Sequence, residues 1–167
     1  MCKPSDESAA PFAPHVHEKF HAPAHEGCKV IAVCGKGGVG KTAFSALLVR
    51  ACVRSGSCGR LLVVDADPAF GLALALGVNV SQTIGEVRER IIRTAREGSA
   101  SDEEELASRL DYLVFEAMEE TDDFAFIAMG RSDSLGCYCS VNDLLRDAMQ
   151  LLVQEFDTVV VDGEAGL

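Results

Sequence analysis

The clearest chemistry in this chain of 167 residues lies in Cys34-Gly35-Lys36-Gly37-Gly38-Val39-Gly40-Lys41-Thr42. Gly35 to Thr42 fits the spacing G-x-x-x-x-G-K-[ST] of a P-loop. The glycines let the backbone bend until successive N–H groups face inward and hold phosphate oxygens. A helix that opens at Lys41, Thr42 and Ala43 points its positive end at the same anion. Lys41 is expected on the β- and γ-phosphates, and the Thr42 hydroxyl is expected to ligate Mg²⁺. Lys36 is a second lysine inside the loop. It is either a solvent-facing loop residue or a group that reaches a nucleotide on a neighbouring subunit.

Three carboxylates could join this site. Asp65 and Asp67 come after the apolar run Arg60-Leu61-Leu62-Val63-Val64, where ligands bind in open parallel sheets. Asp67 is the better candidate for orienting an attacking water; Asp65 would support Mg²⁺ or the loop. Either could instead merely cap the next element of the chain. Asp162 ends a later apolar run and is placed to hold Mg²⁺ through water. Gly163-Glu164-Ala165-Gly166 would then begin a switch that senses the γ-phosphate, with a backbone N–H from Gly166. A different chemistry is offered by Cys137 and Cys139. Two thiolates two residues apart can grip one soft or borderline metal ion, and a two-fold dimer would complete a Cys₄ site on its axis. Two ordinary buried or redox-active thiols are the plainer reading.

The elements that must position these groups emerge from the apolar pattern. Strands are expected at 29–34, 60–64, 124–129 and 156–162. Phe44, Leu47, Leu48 and Ala51 mark a helix over about 41–54. Leu72 to Val80 reads as a buried connector. Ile84, Val87, Ile91 and Ala95 mark a helix from near Thr83, with Arg88, Arg90, Arg93 and Arg96 on its outer side. Leu106, Leu110, Leu113, Val114 and Ala117 mark an acidic helix. Val141, Leu144, Leu145, Ala148 and Leu152 mark another, with Ser140 or Asn142 near its cap. Strands alternating with helices imply an α/β fold, a mostly parallel sheet flanked by helices with right-handed crossovers. Cys34 and Cys52 read as small structural residues.

Composition bounds the rest. The chain is 48% hydrophobic, enough for a core, and no apolar run approaches a membrane span. The net charge is −11, and residues 97–123 hold eleven acids against the single Arg109. The acidity is therefore local. It argues against nucleic-acid binding and marks either a solvated helical face or a docking face for a basic partner. Seven cysteines, an odd number, favour thiols or metal ligation over a disulfide framework. Residues 1–27 read as a flexible tail rich in proline, with His15, His17, His21 and His25 as all the histidines of the chain. With Cys2 and Cys28 they form a candidate weak Ni²⁺ or Zn²⁺ tail. The tail lacks a secretory core, so a cytoplasmic location is expected. Residues 28–167 form the P-loop domain.

Gly35 to Thr42 with its extra lysine resembles the deviant Walker A ATPases, and Val64-Asp65-Ala66-Asp67-Pro68 looks like the first switch of that class. More narrowly, Gly136-Cys137-Tyr138-Cys139, Asn142-Asp143-Leu144-Leu145-Arg146 and Asp162-Gly163-Glu164-Ala165-Gly166-Leu167 resemble the CooC-type ATPases that mature carbon monoxide dehydrogenase. The resemblance implies a three-layer P-loop ATPase that works as a nickel chaperone. ATP would close a homodimer, with Lys36 of each subunit on the other's nucleotide. Cys137 and Cys139 of both subunits would hold Ni²⁺ or Zn²⁺, and hydrolysis would couple delivery to carbon monoxide dehydrogenase as client. The family runs on for roughly half a domain beyond this segment. On that reading the chain is the N-terminal portion of the domain, and its fourth strand is expected to be an open edge. The alternatives are a non-catalytic metal- or nucleotide-binding remnant, or a partition or septum-positioning ATPase. The latter would want a basic DNA patch or a membrane tail and would not need the cysteine pair.

Overall fold

The structure, a computed structural model, describes residues 27–96, 103–131 and 139–165. The strands are β1 (Lys29–Gly35), β2 (Leu61–Asp65), β3 (Glu119–Glu120), β4 (Ala125–Ala128) and β5 (Thr158–Ala165). The helices are α1 (Lys41–Ser55), α2 (Gly71–Leu76), α3 (Ile84–Arg96), α4 (Glu103–Glu116) and α5 (Cys139–Gln154). The strands form one sheet in the order β1-β5-β2-β4-β3. All neighbours are parallel except β3, which lies antiparallel on β4. This is the expected α/β class; β3 is too short to leave a pattern in the sequence.

Both faces of the sheet are covered, so its central strands are apolar throughout. On one face, Leu62 and Val64 of β2 pack with Val87 and Ile91 of α3 and with Leu110 and Val114 of α4. On the other, Leu61 and Val63 pack with Val49 and Cys52 of α1 and Leu72 of α2. The alternation along β2 is the two-residue period of a strand, read here as two cores rather than as one core and solvent.

Helix α1 forms where the spacing places it, but the residues that mark it are not its buried face. Its buried residues are Ser45, Ala46, Val49 and Cys52, whereas Phe44, Leu47 and Ala51 are exposed. The loop that precedes the helix sets its rotation: Lys41 and Thr42 must serve that loop, and residues three or four further on share their side. The largest apolar side chains therefore do not choose the buried face. Cys52 is a buried packing residue as expected, while Cys34 is exposed.

The expected open edge at the fourth strand is also corrected. That strand is β5, and it is hydrogen-bonded to β1 on one side and β2 on the other. Among the described residues the edges are β1 and the two-residue β3, and on β1 Val30 is 60% and Ile31 39% exposed. Chain order does not reveal neighbour order, because a crossover can return a late strand between two early ones.

The connector resolves into the single-turn α2, closed by Gly77 in the left-handed region, and a loop to Thr83. Thr83 and Glu86 build a capping box at the start of α3. Glu86 N–H donates to Thr83 Oγ1 at 3.2 Å, and Thr83 N–H donates to Glu86 Oε2 at 2.8 Å. Helix α5 begins at Cys139, ahead of the expected cap. Asn142 instead accepts a hydrogen bond from Arg88 Nε at 2.7 Å, tying α5 to α3.

Candidate functional site

Strand β1 runs into the loop and the loop into α1 without an intervening turn of helix. Gly35, Gly38 and Gly40 have φ of 148°, 80° and 92°. L-residues rarely adopt these values, so the cradle requires glycine there. Gly40 is the N-cap of α1 and supplies no side-chain acceptor. The N–H groups of the first turn lack intrahelical partners and point to where an anion would lie. Lys41 folds back over the loop, its Nζ 3.5 Å from the Lys36 carbonyl oxygen. Lys36, Gly37, Gly38 and Val39 are exposed at the rim.

The strand register brings the acids to this end of the sheet. Asp162 of β5 stands beside Val33 of β1 and Asp65 of β2. Asp162 is fully buried, and Ser45 Oγ donates to its Oδ1 at 2.8 Å. Its Oδ2 is buried without a hydrogen-bond partner among the described residues. A buried carboxylate oxygen left so is costly unless a ligand satisfies it. The residues fit a divalent cation: a hydroxyl from Thr42 and one carboxylate from Asp162, with phosphate and water oxygens for the rest. Ser45 is the residue that sequence reasoning missed. Its signal was a hydroxyl one turn beyond Lys41, on the side of α1 that the loop turns inward.

Asp65 does something different. Its Oδ1 accepts Asp67 N–H at 3.1 Å, and its Oδ2 accepts Leu72 and Ala73 N–H at 3.1 and 3.2 Å. It therefore shapes the loop and caps α2 from a distance; of the roles open to it, these bonds support the loop and the cap rather than Mg²⁺. Burial raises its carboxyl above the usual range and the neighbouring Asp162 charge adds to this; the three backbone N–H groups pull the other way. Asp67 is half-buried and holds a turn, with Oδ1 accepting Ala69 N–H at 2.9 Å. That turn places Phe70 at φ 55°, a strained value for a side chain of its size. It delivers Gly71 against Thr42: a Cβ on Gly71 would lie 3.3 Å from Thr42 Cγ2. Asp65 and Asp67 thus hold the start of α2 against the start of α1.

The segment expected to begin a switch starts inside a strand. Gly163, Glu164 and Ala165 continue β5, with Ala165 paired to Gly35, because β1 gives them a strand to bond to. Gly166 lies outside the described residues, as do Cys137 and the histidines of the tail. Cys139 opens α5, and its side chain is likewise not described. Among the described residues no cluster of three or more His, Cys, Asp or Glu is placed to hold a metal ion. Both flanks of the segment 132–138 are held by α3. A Cβ on Gly130 would lie 2.7 Å from Thr83, the Arg131 carbonyl presses on Gly85, and Asn142 is bound by Arg88.

A glycine cradle between a parallel strand and a helix, with a buried aspartate on the adjacent strand, defines a P-loop nucleotide-binding α/β protein. The profile of the anion-transporting ATPases matches residues 28–164, and the chain belongs to that family. It is 43% identical over 144 residues to an uncharacterised ATP-binding protein of Methanocaldococcus jannaschii, covering 83% of this chain and 54% of that one. It is 31% identical over 149 residues to the carbon monoxide dehydrogenase accessory protein CooC of Rhodospirillum rubrum, covering 82% and 55%. The chain thus spans about half the length of these curated relatives. Among solved structures its fold is similar to cobyrinic acid a,c-diamide synthase of Mycobacterium smegmatis with bound ADP and magnesium. The TM-score is 0.52 at 23% identity, over 81% of this chain and 50% of that one. It is similar also to a ParA family ATPase of Chlorobium tepidum, with a TM-score of 0.52 at 18% identity, over 84% and 53%.

Proposed function

We propose that this chain binds ATP with Mg²⁺ and hydrolyses it, and that the cycle drives a nickel chaperone of the CooC type. The observation that carries the nucleotide reading is Asp162, held by Ser45 through one oxygen and with its second oxygen buried beside the cradle without a partner among the described residues. The loop N–H groups and the end of α1 bind the α- and β-phosphates. Lys41 leaves the Lys36 carbonyl for the β- and γ-phosphates, where its charge opposes the charge that builds on the leaving oxygen. Thr42 and Asp162 hold Mg²⁺, which when bound neutralises phosphate charge. Asp67, on the turn before α2, orients the attacking water. Lys36, exposed at the rim, reaches the nucleotide of a second subunit. Gly166 donates to the γ-phosphate.

The nickel reading is carried by the Gly136-Cys137-Tyr138-Cys139 segment and by the 31% identity to CooC. In it, Cys137 and Cys139 of two subunits hold one Ni²⁺ or Zn²⁺ as cargo for carbon monoxide dehydrogenase. ATP and metal then favour the same closed homodimer, and each must tighten the other's binding.

The test is a Ni²⁺ titration with and without ATP, read with molecular mass in solution. Tighter metal binding by a dimer in the presence of ATP supports the reading. Cys137→Ala with Cys139→Ala should abolish stoichiometric uptake and spare ATP; persistent uptake would place the ligands elsewhere. Lys41→Ala should lose ATP. Lys36→Ala should bind ATP but lose turnover and dimerisation.

A further inference from the structure

At the end of the sheet remote from the phosphate loop, α4 and α5 part around a cavity of about 240 Å³. Its walls are Val114 and Phe115 from α4, Met118 just after it, Leu151 and Leu152 from α5, and Phe156 ahead of β5. Leu151, 59% exposed, carries the apolar surface out over the rim. The mouth is acidic: Asp111, Glu120 and Glu155 surround a single cation, Arg60. That cation is already matched, with Nε 3.4 Å from Asp157 and Nη1 3.9 Å from Glu155. No hydrogen bond or ion pair among the described residues engages the side chain of Asp111 or Glu120. Partial burial raises the Asp111 carboxyl above its usual range, the mark of a charge set against an apolar wall.

The volume lies below the roughly 300–1,000 Å³ of a small-molecule pocket and suits one large apolar side chain. The rim selects the charge of whatever carries that side chain. A nucleic acid or an anionic membrane would be repelled. A second copy meeting this groove about a two-fold axis would set Asp111 and Glu120 against the same acids. We propose that the groove between α4 and α5 docks a basic amphipathic helix of a partner protein, which seats one apolar side chain in the cavity and its lysines or arginines beside Asp111 and Glu120. This is helix-in-groove recognition with electrostatic selection. It does not depend on the metal reading.

The test is fluorescence anisotropy of the full chain with a labelled amphipathic Leu/Lys helical peptide. Binding should weaken at least ~tenfold in Leu151→Glu and in Asp111→Lys with Glu120→Lys, the effect of losing a central anchor or its charge match. Both variants change residues at the rim of the groove, so the fold is kept, and both should bind ATP as the parent does. A Lys/Ser peptide of equal charge should bind at least ~tenfold more weakly than the Leu/Lys peptide. Equal binding of the two peptides would reduce the effect to general attraction to an acidic protein and overturn the proposal. Unchanged affinity in the variants would also overturn it. So would self-association that Leu151→Glu abolishes, since the occupant would then be a second copy. Lys41→Ala should leave peptide binding intact, which separates failure here from failure of the nucleotide reading.

Discussion

Two aspartates of like position and opposite use sit side by side on β2 and β5. Asp65 is satisfied three times by backbone N–H groups, whereas one carboxylate oxygen of Asp162 is buried with no hydrogen-bond partner among the described residues. Ser45→Ala would remove the only donor to the Asp162 carboxylate among the described residues and leave both of its buried oxygens unpartnered. The expected cost is about 1–3 kcal/mol in urea unfolding without nucleotide; no loss would mean that the carboxylate relaxes toward water. Asp65 predicts a pH dependence. Its folded pKa is raised, so the folded state holds the proton more tightly than the unfolded chain does. Stability should therefore fall as pH rises from the ordinary carboxylate value through the raised one, and the buried charge then burdens the fold above that window. Asp65→Asn, neutral throughout, should flatten that part of the urea-unfolding pH profile, though it is less stable overall because its NH₂ replaces one of the two oxygens that accept from Asp67, Leu72 and Ala73. An unaltered slope would assign the dependence to another group.

At the scale of elements, α3 is the brace. Its capping box at Thr83 and Glu86 gives it a defined start, and the same threonine is the surface against which Gly130 packs. Gly130 is at φ 66°, so an alanine there is penalised twice, by backbone strain and by contact with Thr83. Gly130→Ala should cost about 2–3 kcal/mol. Thr83→Gly, a tolerated cap, should cost little alone and should recover about 1 kcal/mol of the Gly130→Ala loss in the double variant. Strict additivity would show that the contact carries no energy. The start of α3 was legible, because Thr-x-x-Glu ahead of an apolar period is a local signature. The face of α1 was not. Phe44 and Leu47 are larger than Ser45 and Ala46, and only the loop geometry turns the smaller pair inward.

For the whole molecule, the uneven feature is β1. A parallel strand is ordinarily covered on both faces, yet Val30 and Ile31 are exposed and, among the described residues, only β5 pairs with β1. Such an edge invites association through backbone hydrogen bonds. Sedimentation velocity should find concentration-dependent self-association, and Val30→Lys should reduce it; the same distribution in both chains would exclude β1 as the contact. Among the described residues no helix is long and apolar enough to cross a membrane, and the glycine loop and the acidic groove lie at opposite ends of the sheet.

What the amino-acid order determined by itself is whatever depends on near neighbours along the chain. The glycine cradle, the strand-loop-helix around it, the capping box and the acids on β2 and β5 are written in short windows, because turn geometry and periodicity act over a few residues. What only the tertiary structure decided is contact across long separations. That β5 enters between β1 and β2, that Ser45 meets Asp162 and that Asp65 caps α2 all depend on how elements stack. Stacking is set by the summed burial of many side chains, which no short window contains.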